Sequence, residues 1–309
     1  MPPRPMGSTV LARAGLAGLM FVLAACSQPR AEPISVRFQG TDVVRYEGTL
    51  AGDDDGAQAE GIWRFFWRNG HPQALGDFRH GEAPGAADEF EDHTQVPSEG
   101  RDGHWREWNA GGALVSEGFY AAGQRSGLWR EWYEDGTLRT QGQFAAGKQR
   151  GEQLTWNRKG GLASRGSFEH GERVGLHETW DEAGRLRQQA LWRCGVQEGL
   201  CTVWDEHGVR REAAQYRNGL LHGARGLWNA KGELTCVSHY EKGELEGVEE
   251  LFHANGRVRV HGAYERGDPV GTWMAWDEDG QQIWSREERA PRTEGVARGE
   301  KPAGREGGN

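Results

Sequence analysis

Gly-Leu-Trp-Arg-Glu-Trp-Tyr-Glu-Asp-Gly-Thr-Leu-Arg-Thr-Gln-Gly-Gln-Phe, residues Gly127 to Phe144, decides the fold, because most of the chain rewrites it. With the opening glycine as position zero, copies open at Gly61, Gly103, Gly127, Gly151, Gly175, Gly199, Gly223, Gly247 and Gly271. From Gly103 onward each copy opens 24 residues after the last. A constant period of this size marks a repeat architecture and takes precedence over local readings.

Position five is always aromatic: Phe66, Trp108, Trp132, Trp156, Trp180, Trp204, Trp228, Phe252 and Trp276. Position nine is always glycine, from Gly70 to Gly280, and position eleven is mostly aliphatic, as at Leu114, Leu138 and Leu162. Position fifteen is small in eight copies, and position seventeen is aromatic in the same eight, from Phe78 to Tyr264. These odd positions carry the period of two that a half-buried strand needs. The glycine at position nine supplies the positive φ that closes a three-residue hairpin loop. One β-hairpin per copy follows, with position five facing eleven and position one facing fifteen. Across the second turn, position nineteen is expected to face position two of the next copy. That register sets Cys194 opposite Cys201, Lys242 opposite Glu249 and Arg266 opposite Trp273. In an oxidising compartment, Cys194 and Cys201 are then expected to form a disulfide, with Cys236 left as a thiol.

This pattern of aromatics and glycines resembles the bacterial variant of the MORN repeat, over Gly61 to about Trp284. The label often attached to that variant is a YwqK-like antitoxin family. The resemblance implies an all-β fold, an elongated single-layer solenoid of nine stacked hairpins. At two strand spacings per copy, nine copies extend roughly 85 Å.

The composition agrees with such an array. Forty-eight glycines and 14 tryptophans serve aromatic-plus-glycine hairpins, and 36% hydrophobic content is thin for a globule of 309 residues. The formal charge of −9 becomes −11 once Arg4 and Arg13 leave with a cleaved leader, which argues against a nucleic-acid partner. The chain has no Gly-x-Ser-x-Gly, P-loop, His-Glu-x-x-His or Cys-x-x-Cys, so no enzyme activity, cofactor or metal is expected. His170 and His177 face each other in the expected register, but two ligands make a poor metal site.

Residues 1–25 read as a signal peptide. Ala14 to Ala25 is an apolar or small run, too short to span a bilayer, and it ends in Leu23-Ala24-Ala25-Cys26. That ending resembles the lipobox of bacterial lipoproteins, which implies lipid on Cys26 and, with Ser27 next, export to the outer membrane. Residues 26–60 read as a tether and an N-terminal cap, in which Ile34, Val36 and Phe38 alternate as a strand would. The repeats span 61–285, with an acidic insertion at 82–102 that is expected to pack little. Arg286 and Glu288 replace the small and aromatic residues of the ninth copy, so the sheet is expected to end near Trp284 and 286–309 to be a disordered tail.

The function expected is an envelope-anchored scaffold for a protein partner, touching the membrane through Cys26. Its candidate surface is the even-parity aromatics Trp63, Trp105, Trp129 and Trp273, with Asp88, Glu89, Glu91 and Asp92 of the insertion. A glycan binder using those rings, or an antitoxin or immunity role, are the alternatives.

Overall fold

The computed structural model describes residues 31–52, 56–84 and 95–288. Within them the chain is all-β: 21 antiparallel strands in one open sheet, paired in chain order, with Glu244–Leu245 and Gly247–Phe252 both pairing with Leu234–Glu241. The sheet is a single layer of stacked hairpins. One strand per copy runs through the opening glycine and the next returns, as Gln124–Trp132 and Leu138–Ala145 do.

The first turn of each copy is the expected three-residue loop. Tyr133 N–H donates to Thr137 O, Gly136 N–H donates to Tyr133 O, and Gly136 takes φ 84°. Position five faces eleven, as Trp132 faces Leu138. Position fifteen, however, faces position two and not one: Trp129 pairs with Gly142. Position twelve, here Arg139, is an extra residue, because Glu131 pairs with Thr140 while Trp132 pairs with Leu138. This bulge sets the odd positions thirteen and fifteen of the return strand opposite the even positions four and two of the first. A parity count from sequence therefore assigns position two to the wrong set.

The second turn also departs from the expected register. Positions nineteen and twenty form a two-residue loop with positive φ at both, as at Cys194 (48°) and Gly195 (77°), the signature of a type I′ turn. Cys194 lies in this turn while Cys201 pairs with Ala190, so the two do not face each other, and both thiols are free. Neighbouring turns are tied by backbone bonds: Gly147 N–H donates to Arg125 O and Gly171 N–H to Gln149 O. Just past the turn, the opening glycine takes positive φ in all nine copies and absorbs a second bulge.

At the N-terminal end, the hairpin of Ala31–Arg37 and Val44–Ala51 joins the sheet through Gln58–Phe66. Tyr46, Trp63, Phe65, Phe78 and Trp105 form the core there. The flanks of the acidic insertion pack onto that core, contrary to expectation. Val96 lies against it, Tyr46 OH donates to Pro84 O, and buried Arg101 donates to the carbonyls of Val96 and Pro97. At the other end, the last strand continues past Trp284 to Glu288, with Arg286 Nε 2.9 Å from Glu288 Oε1.

Candidate interaction surface: the two faces of the sheet

Positions two, four, thirteen, fifteen and seventeen share one face, here called the ring face. Its order comes from the contact between position two of one copy and position fifteen of the copy before. A Cβ added to Gly48, Gly76, Gly118 or Gly262 would enter the indole of Trp63, Trp105, Trp129 or Trp273 respectively. The same test at Gly142 and Gly166 meets the side chains of Gln153 and His177. Each of these six planar groups lies flat on a glycine. Four of them donate an N–H to the carbonyl of the residue after that glycine: Trp105 to Asp77 O (3.0 Å), Trp129 to Phe119 O, Gln153 to Gln143 O and His177 to Ser167 O (each 2.9 Å). Tryptophan, glutamine and histidine share this seat because all three are flat and carry an N–H.

Two copies build further on it. Arg101 and Arg125, two residues before the opening glycine, stack over Trp105 (4.3 Å) and Trp129 (4.2 Å). Their guanidinium groups pair with Glu107 (2.8 Å) and Glu131 (3.1 Å), which also accept from Ser116 and Thr140. Burial works against the charge of Glu131, but its bonds to Arg139 and Arg125 outweigh this and hold the carboxyl below its usual range.

Three copies lack the seat. Position fifteen is Ala190, Ala214 or Ser238, and position two is Cys201, Arg225 or Glu249. Here Arg225 pairs with Glu212 at 2.6 Å and reaches Tyr240 OH, while Glu249 accepts from Ser238 Oγ at 3.0 Å. Burial raises the thiols of Cys201 and Cys236, which disfavours the reactive thiolate. Among the described residues, no three of His, Cys, Asp and Glu are placed to hold a metal.

The structure corrects the expected surface. Trp63, Trp105 and Trp129 are 0%, 1% and 3% exposed, and Trp273 is partly buried with no hydrogen-bond partner for its N–H among the described residues. These rings are the packing of the ring face and not a display. Asp88, Glu89, Glu91 and Asp92 lie outside the described residues, as does Cys26.

Among the described residues, Ile62, Phe119, Leu176, Leu191, Leu200 and Val248 are exposed apolar groups on the opposite face, at positions one and sixteen, which the aromatic pattern hides. Val196, Leu220, Ile283 and Trp284 are exposed at other positions. Leu176 pairs with Leu191, and Leu191 lies against Gly199, the residue before Leu200, which sets the three leucines in one ridge of adjoining positions on this face. They are 45%, 39% and 48% exposed. Ion pairs border them, Arg165 with Glu178 and Arg193 with Glu198. The available signal was a leucine at both facing positions in one copy alone.

Comparison with known proteins bears on the repeat. No curated protein matches the chain. Among solved structures it is similar to a chain of "Crystal Structure of TcdB2-TccC3-Cdc42", at 10% identity and a TM-score of 0.17, covering 80% of this chain and 13% of that one. A likeness that slight carries no argument. The family model described as "MORN repeat variant" matches residues 125–146. That stretch holds one hairpin of the array, so this hairpin is similar to the MORN repeat variant, and its register recurs along the sheet.

Proposed function

We propose that the chain is a non-enzymatic interaction scaffold, held at the bacterial envelope by lipid on Cys26, that binds a protein partner through Leu176, Leu191 and Leu200. The ridge of three leucines carries this reading. Trp63, Trp105 and Trp129 of the ring face are packed, whereas these three leucines remain largely in water, where a partner would cover them. The bordering ion pairs provide the polar rim that protein interfaces have around an apolar centre. The anchor rests on the resemblance of Leu23-Ala24-Ala25-Cys26 to a lipobox. The glycan reading has lost its rings to the core, and an immunity role rests on a family label alone.

The test is crosslinking in intact cells, comparing the parent chain with Leu191→Asp. Because Leu191 is exposed, the variant should melt with the parent and lose the crosslinked partner. An unchanged crosslink pattern would refute the leucine face. Labelling with a fatty-acid probe checks the anchor, and Cys26→Ala should carry no label.

A further inference from the structure

The ring face carries a row of rings packed edge to face. Trp63 meets Phe78 at 84°, Phe78 meets Trp105 at 89°, Trp105 meets Tyr120 at 81° and Tyr120 meets Trp129 at 84°. Trp129 then meets Phe144 at 74°, and the row resumes with Phe168 and His177 at 75°. Between Phe144 and Phe168 a ring is missing, because Gln153 occupies position two. The same copy has Gln149 where its predecessors have Arg101 and Arg125, and Thr155 where they have Glu107 and Glu131. The lost bulk leaves a notch of about 170 Å³ bordered by Trp129, Phe144, Gln149, Gln153 and Thr155, with Gly142 beneath. A cavity of about 150 Å³ takes one benzene ring.

At its opening glycine the notch copy matches the ring-bearing copies, although Gly142 pairs directly with Gln153 as Ala190 does with Cys201. Gly151 has φ 67°, beside 66° at Gly127 and 69° at Gly175, whereas Gly199, Gly223 and Gly247 have 98°, 94° and 90°. Position fifteen is still glycine, Gly142, with Gln153 lying over it, whereas Ala190, Ala214 and Ser238 carry a Cβ. The copy thus keeps the glycine and the opening φ of a ring seat, with the smaller Gln153 amide in place of the ring. Gln153 Nε2 is committed to Gln143 O, while its Oε1 accepts no hydrogen bond among the described residues.

From this we propose that the notch at Gln153 receives one aromatic side chain of the protein partner, a tryptophan or tyrosine whose N–H or O–H donates to Gln153 Oε1. The ring completes the row edge to face with Phe144. This rests on the scaffold reading, since it takes the ring from a partner.

Saturation-transfer NMR on the mature chain tests it, with N-acetyl-tryptophanamide, N-acetyl-tyrosinamide, N-acetyl-leucinamide and free indole as probes. Transfer is expected to the two blocked aromatic amino acids and not to the leucine probe. Gln153→Trp fills the notch from within, and Gln149→Arg restores the neighbouring bulk; each should abolish the transfer. Leu191→Asp should leave it intact, so failure of the leucine face and failure of the notch are read separately. Absence of transfer to the aromatic amides, equal transfer to leucinamide, or parental signal in both filled variants overturns the proposal. Transfer to indole without transfer to the amides also overturns it, since the occupant would then be a free small molecule.

Discussion

The copies opening at Gly103 and Gly127 and those opening at Gly199, Gly223 and Gly247 share a hairpin, a period and a loop, yet their ring faces are built differently. In the first set a flat group lies on glycine and the opening glycine has φ of 66–68°. In the second set position fifteen of the copy before has a Cβ, the opening φ moves to 90–98°, and position two is cysteine, arginine or glutamate. The strand pairing moves too. Ala190 pairs directly with Cys201 and Ala214 with Arg225, whereas Gly118 is skipped in the register between Glu117–Arg130 and Phe119–Ser126. Gly142 also pairs directly, with Gln153, so the direct pairing goes with a position two that carries no ring and not with the Cβ at position fifteen. The lesson is that the two positions form one unit across a copy boundary and substitute together.

The largest expected effect comes from removing an occupant. Trp105 is 1% exposed and lies between Gly76, Arg101 and Tyr120, so Trp105→Ala should cost about 3–5 kcal/mol. Cys201→Ala deletes one sulfur atom in the other set and should cost about 1 kcal/mol. Repeat arrays couple mainly to nearest neighbours, so hydrogen exchange resolved by copy is the suitable measure. Equal losses at the two sites would end the distinction between the sets.

A smaller effect, and a sharper test, comes from the floor. Gly118→Ala places a methyl group inside the Trp129 indole, and overpacking of this kind costs about 1–3 kcal/mol. Ala214→Gly in the other set has no ring to seat and should cost about 0.5–1 kcal/mol through backbone entropy. If Gly118→Ala leaves the exchange rates of its copy unchanged, the seat is not what orders the ring face.

Much of this architecture was legible in the sequence. The glycine at position nine gave the first turn, the opening glycines gave the period, and the pairing of Trp132 with Leu138 follows from both. What escaped was the face of Trp63, Trp105 and Trp129, because Arg139 and its equivalents, among them Val115, Arg187 and Ile283, add a bulge at a position that no constant residue type marks. The second turn escaped because its first loop residue varies: Ala122, Ala146, His170, Cys194, Asn218, Lys242 and Arg266 all take positive φ there. Only the glycine that follows each of them signals a two-residue loop. The leucine ridge was written at positions one and sixteen, which the repeat pattern leaves free to vary.

A third prediction asks whether the seat needs only a flat N–H donor. Burial lowers the pKa of His177 below its usual value, so its imidazole is neutral in the fold. A histidine whose folded pKa is depressed contributes its full stability above the unfolded value of about 6.5. That contribution declines as pH falls through this value, because the unfolded chain takes up the proton first. His177→Gln copies the neighbouring Gln153 and should match the parent at pH 7.5. It should then lose less stability than the parent on acidification to pH 5, read as the shift in denaturant midpoint. Identical pH slopes in the two chains would show that His177 is not seated as a neutral donor.

The smallest expected effect concerns Cys194, where sign and not size is decisive. Its φ of 48°, followed by 77° at Gly195, is the type I′ arrangement that Asn-Gly favours, and Asn218-Gly219 already places that pair at the next link. An ordinary side chain in the left-handed region costs about 1–2 kcal/mol, and asparagine recovers part of it through local hydrogen bonding. Cys194→Asn should therefore stabilise its hairpin by about 0.5 kcal/mol, in oxidised and reduced protein alike. A disulfide from Cys194 to Cys201 across so short a loop would contribute about 2–3 kcal/mol, and the same substitution would remove it. The two arrangements predict opposite signs in oxidised protein. The pairing of Cys201 with Ala190, and not with Cys194, favours the gain. Denaturant unfolding of envelope-purified protein, with and without reductant, measures it. A reductant-sensitive loss in Cys194→Asn would restore the disulfide and require a different second turn.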